Sequence, residues 1–155
     1  MPRLLALGAL LLACSSSPPP LAEGDPCEFC RMAITDTRFG GQVVLSTGRT
    51  RSFDAVECLA AYLASGADST RMSNVLVSDF ESGQLVDAAT AVFVRDATVA
   101  SPMGRSVIAL AGGAPAEAIL ARYGGTIATW DVVRRDLAST PSDAGHHAGR
   151  VPAVR

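Results

Sequence analysis

Three sulfur atoms fall within six residues in the run Cys27-Glu28-Phe29-Cys30-Arg31-Met32. A Cys-x-x-Cys pair on a turn can bring two sulfurs onto one atom, and Met32 adds a thioether beside them. Thiolate and thioether ligands select soft monovalent copper, which accepts two or three of them, whereas thioether is a poor ligand for zinc. Arg31 adjoins Cys30, where its charge is expected to lower the thiol pKa and favour the metal-binding thiolate. A second methionine, Met103, lies between Pro102 and Gly104. Those neighbours make it a turn residue, where a core methionine has little to fill, although methionine is commonly just packing. Cys58 sits in a helical pattern beside Leu59 and reads either as a small buried apolar residue or as an additional ligand. Met72, in a Ser/Asn-flanked turn, receives no role.

Two other chemistries use the same pair. A structural zinc site wants four nitrogen or sulfur ligands, typically with a second closely spaced pair, and none is present. His146 and His147 lie in a polar tail and read as solvated. Alternatively, Cys27 and Cys30 form a disulfide or serve a periplasmic thiol-disulfide redox protein. A thioredoxin-type catalyst, however, places its pair after a strand and at the start of a helix, whereas here it follows a Pro-rich stretch and precedes a predicted hairpin. With Cys14 set aside, Cys27, Cys30 and Cys58 are an odd set that cannot all pair within one chain. No Ser/His/Asp set is available and the carboxylates are scattered, so the chain reads as a carrier and not an enzyme.

The elements that must position these sulfurs follow from periodicity and punctuation. Met32 to Thr37 and Gly41 to Leu45 are short runs with β-branched residues, joined through Arg38-Phe39-Gly40-Gly41 and predicted as a hairpin. Ser46-Thr47-Gly48 turns into a strand at Thr50 to Phe53. Asp54, with Glu57 three residues on, predicts a capping box for a helix from Ala55 to about Ala64, ended by Gly66. Val56, Leu59, Ala60 and Leu63 form its buried stripe. Asn74 to Phe80 returns as a strand. The second half repeats the plan loosely: strands at Ala91 to Arg95 and Val107 to Leu110, a helix over Pro115 to Tyr123, and a strand over Thr126 to Val133. Strand, strand, helix, strand, given twice with few short helices, predicts an α+β fold.

The ends read as an address and a tether. Arg3, the apolar run Leu4 to Leu12 and the closing Ala13-Cys14 make a signal peptide over residues 1–13, too short to span a bilayer, with Cys14 placed for lipidation. Residues 14–26, rich in Ser and Pro, read as a semi-extended tether, residues 27–138 as one domain, and residues 139–155 as a flexible tail. The expected location is therefore the periplasmic face of a bacterial envelope, held to the membrane by lipid. The net charge of −2, without a Lys/Arg cluster, excludes the electrostatic footprint of a nucleic-acid partner.

The order Cys27-x-x-Cys30-x-Met32, Ile34-Thr35-Asp36-x-Arg38-Phe39, Phe53-Asp54 ahead of a helix bearing Cys58 and Tyr62-Leu63, Val77-Ser78-Asp79-Phe80 and Ser101-Pro102-Met103-Gly104 resembles the NosL family of nitrous oxide reductase accessory lipoproteins. The resemblance implies two small ββαβ units packed together, similar to the organomercurial lyase accessory region. It also implies delivery of Cu(I) to nitrous oxide reductase through an ABC-transporter maturation complex, with metal positions on Cys27, Cys30, Met32 and Met103. Arg31 departs from the glycine usual in the family before the motif methionine.

Overall fold

A computed structural model describes residues 17–139. The leader, Cys14, His146 and His147 lie outside the described residues. β1 (Gly41–Leu45) and β2 (Thr50–Phe53) form a hairpin through the Ser46-Thr47-Gly48 turn, α1 (Val56–Ala64) crosses back, and β3 (Met72–Ser78) and β4 (Leu85–Asp87) complete a sheet ordered β2-β1-β3-β4. A second unit follows: β5 (Val92–Arg95), β6 (Ile108–Leu110), α2 (Ala116–Tyr123), β7 (Thr126–Ala128) and α3 (Trp130–Ser139), with its sheet ordered β6-β5-β7. In each unit the first strand is central and pairs antiparallel with the second and the third. The expected repetition of ββαβ therefore holds as topology, with β4 and α3 as additions, and the fold is α+β.

The two sheets meet where Phe80 N donates to Ala109 O at 2.8 Å and the Asp79 carboxylate accepts from Ala111 N at 2.9 Å. The main core lies under α1, where Val56, Cys58, Leu59 and Ala60 are almost wholly buried and Glu57 and Tyr62 nearly so. A helix buried over so much of its circumference needs covering on two sides. One cover is the first sheet, and the other is α3, which packs on α1. Gly41 makes the close approach to the sheet possible, since a Cβ there would lie 2.7 Å from Leu76 O and 2.9 Å from a Leu59 methyl.

Several predicted elements are corrected. Met32 to Thr37 is not a strand paired with β1. Residues 32–34 instead fold back on residues 24–27, with Gly24 N to Ile34 O at 2.9 Å, Ile34 N to Asp25 O at 2.8 Å and Cys27 N to Met32 O at 2.8 Å. Thr37–Phe39 is a 3-10 turn because the Asp36 carboxylate caps Arg38 N at 3.0 Å. The capping box does not form: Ala55 is the N-cap and makes no side-chain bond, while Asp54 and Glu57 are engaged elsewhere. The strand predicted over Thr126 to Val133 ends at Ala128, and α3 begins at Trp130. Trp130, Val133 and Leu137 form one helical stripe on the main core, and Trp130 stacks on Phe93 at 5.4 Å between ring centroids. That tertiary burial overrides the β-preference of Val132-Val133.

Replacing Gly41 with alanine should force α1 off the sheet and destabilise the fold by about 1–3 kcal/mol, read as a lower urea midpoint with an unchanged slope.

Candidate metal centre

The Cys-x-x-Cys segment is the tip of the short irregular hairpin formed by residues 24–27 and 32–34. Arg31 N donates to Cys27 O at 3.1 Å, closing the loop in one helical turn. Arg31 itself adopts φ +64°, left-handed backbone that favours glycine and costs a side-chain-bearing residue about 1–2 kcal/mol. Its guanidinium lies 3.7 Å from Glu28 and is mostly exposed. The tip is fastened to the body at two points. Glu28 N donates to Ser52 O at 2.8 Å, and the buried Asp54 carboxylate accepts from Thr35 N at 3.1 Å. Asp54 precedes α1, so this fastening carries the tip to the first turn of the helix.

Cys58 is in that first turn. The Sγ atoms of Cys27, Cys30 and Cys58 all lie within 4.8 Å of one another, with Cys27 and Cys58 buried and Cys30 half-buried. All three thiols are free. The sequence left Cys58 open between a core residue and a ligand. The structure makes it both a buried residue and a member of the cluster.

The three thiols differ in acidity, and Cys27 is the one made more acidic. The Cys58 S–H donates to the Cys27 sulfur and lowers its pKa from 9.0 to about 5, against the opposing effect of burial, with further help from the backbone N–H groups of Asp54, Cys30 and Phe29. Cys58, as the donor, is pushed far up, by that hydrogen bond first and by burial second. Cys30 is raised, chiefly by desolvation. This corrects the expectation that Arg31 would lower Cys30: the ionised sulfur is Cys27, and its charge is stabilised by a thiol and by amides.

The methionines are placed differently. Met32 is 52% exposed, and its carbonyl accepts from Cys27 N at 2.8 Å. Met103 is partly buried and packs against the core cluster that contains Cys27 and Cys58. Its turn is closed by Gly104 N to Ser101 O at 2.9 Å, with Gly104 at φ +75°. Sequence reasoning missed Asp54 and Glu57 as anchors. The signal available was two carboxylates flanking a stretch destined to be buried.

The sequence profile of the NosL family matches residues 18–138. Among solved structures, the copper chaperone NosL from Shewanella denitrificans superposes with a TM-score of 0.59 at 23% identity, covering 74% of this chain and 96% of that one. No curated protein sequence matches the chain.

The cysteine pair fixes the sign of a pH dependence. Cys27 is lowered in the folded state, so between about 5 and 9.0 the unfolded chain binds the extra proton and stability rises with pH. Above 9.0 the unfolded Cys58 ionises while the folded one does not, and stability falls. Urea unfolding of reduced protein across pH should show that rise, and Cys27→Ser should flatten it.

Proposed function

This chain belongs to the NosL family, and on that premise we propose that it is a lipid-anchored carrier of Cu(I) that binds the metal at Cys27, Cys30 and Cys58. The observation that carries the reading is the convergence of three thiols from two distant segments within 4.8 Å. Monovalent copper is content with two or three sulfur ligands. Zinc asks for a fourth nitrogen or sulfur, and among the described residues no histidine and no further cysteine joins the cluster. The solved relative of the same fold is itself a copper chaperone. The exposed Met32 and Met103 beside the core supply thioethers that bear no charge and exchange readily, which suits a protein that must release what it holds. Nitrous oxide reductase, or the ABC-transporter complex that matures it, is the proposed recipient, and Cys14 the proposed anchor on the periplasmic face.

The arrangement of charge also separates this reading from thiol-disulfide exchange. A redox catalyst attacks with an exposed, low-pKa thiolate. Here the low-pKa sulfur, Cys27, is wholly buried, and the half-exposed Cys30 is the thiol whose pKa is raised. The buried thiolate suits a metal.

Anaerobic titration of the reduced chain with Cu(I) against a chromogenic chelator tests the reading. Stoichiometric capture is expected, with release of about two protons per copper as Cys30 and Cys58 deprotonate. Cys58→Ala should weaken capture by at least about ten-fold, and Cys27→Ser should abolish it. Equal, poor competition by wild type and the Cys27→Ser variant would end the copper reading. Mass spectrometry of the exported chain addresses anchoring: an acylated chain starting at Cys14 is expected, and an unmodified chain starting elsewhere rules it out.

A further inference from the structure

Glu57 is an unusual residue to find inside a core. It occupies the second position of α1, is only 7% exposed, and lies directly before Cys58. Its Oε1 accepts from Ser101 Oγ at 2.5 Å, and that same hydroxyl accepts from Ser106 N at 3.0 Å. Its Oε2 is buried with no hydrogen-bond partner. Burial raises the pKa of this carboxyl, opposed by the Ser101 hydroxyl, by the backbone N–H groups of Glu57 and Arg105 and by the Arg105 charge; a core position would be cheaper to fill with an apolar side chain. The arrangement persists in spite of that cost, so its consequence lies in what the carboxyl holds.

What it holds is the turn that bears Met103. Ser101 opens the Ser101-Pro102-Met103-Gly104 turn, and Ser106 follows it, so the Ser101 hydroxyl closes the loop by accepting from Ser106 N and fastens it by donating to one carboxylate oxygen of Glu57. This loop connects β5 to β6 in the second unit, whereas Glu57 and Cys58 belong to the first. Among the described residues, the Glu57–Ser101 bond is the buried side-chain hydrogen bond that crosses from the helix carrying a thiol ligand to the loop carrying a thioether. We propose that Glu57 is a positioning residue: through Ser101 it holds the Met103 turn against the core that contains Cys27 and Cys58, so that the copper site is assembled jointly by the two ββαβ units. The proposal rests on the reading of Met103 as a copper ligand. Ordinary packing would explain a buried apolar side chain at position 57, but not a carboxyl that fastens a methionine turn through Ser101.

The test uses the full chain with methyl-labelled methionine, and the Met103 signal is assigned by its loss in Met103→Leu. On Cu(I) loading the Met103 methyl resonance should shift in wild type. In Ser101→Ala, which leaves the carboxyl in place, the shift should be lost, the Ser106 amide should exchange faster with solvent, and Cu(I) affinity should fall about ten-fold. Met103→Leu should lower affinity by the same factor, with no additional loss in the double variant. Glu57→Ala should behave as Ser101→Ala does, while Glu57→Gln, which keeps an oxygen for Ser101, should restore the shift. A Met103 signal unmoved by copper in wild type would overturn the ligand reading and the proposal with it. A signal that moves in wild type and still moves in Ser101→Ala would overturn the positioning role alone.

Discussion

A negative charge buried in a protein core must be met by donors, and in this chain the meeting of that demand organises the molecule. Cys27 is wholly buried yet ionises far below an ordinary thiol. The donors are the Cys58 thiol and amides of residues 29, 30 and 54, which come from the hairpin tip itself, from the end of β2 and from α1. Each must be in place for the charge to be tolerated. The fastening of the tip at Ser52 and at Asp54 is therefore part of the site and not merely of the scaffold. These two bonds, one to backbone and one to a side chain, make the loop that carries Cys27 and Cys30 one wall of the three-thiol cluster.

The two halves share a topology but divide the labour. The first unit supplies the buried helix, its sheet and the thiol beneath the tip. The second supplies a smaller sheet, and its added helix α3 seals the face of α1 that the first sheet leaves open. α3 contributes Trp130, Val133 and Leu137 to the same core that buries Val56, Cys58 and Leu59. The placement of a sulfur in the first unit thus depends on burial contributed by the last element of the second. This is the ordinary logic of packed layers, in which a helix apolar on more than one face is stable only between two partners.

Strain is concentrated at the tip. Arg31 adopts a left-handed conformation that a four-residue connection imposes on its last position, and its side chain leans on Glu28, which also lies 3.7 Å from Arg51. These ion pairs are surface contacts of small energy. They orient the loop more than they stabilise it, and leave Phe29 and Cys30 partly exposed and Met32 exposed. The three-thiol cluster is thus closed on the sides of Cys27 and Cys58 and open at Cys30.

The sequence by itself determined the chemistry available and the class of fold. Residues 27–32 offered two thiols and a thioether in one short run, because the candidate ligands there are legible from residue type and spacing alone. Periodicity and turn residues specified α1, α2 and the strands at residues 41–45, 50–53 and 92–95, because those segments follow their local preferences and are bounded by turn residues. Only the tertiary structure decided that Cys58 joins the pair, since no local rule relates residues thirty positions apart. It also decided that the residues preceding Cys27 serve as the partner of residues 32–34, that Asp54 and Glu57 spend their carboxylates on Thr35 and Ser101 rather than on capping α1, and that the segment after Ala128 is a helix. In each case a long-range hydrogen bond or the burial of an apolar stripe outweighed a local preference worth less than it.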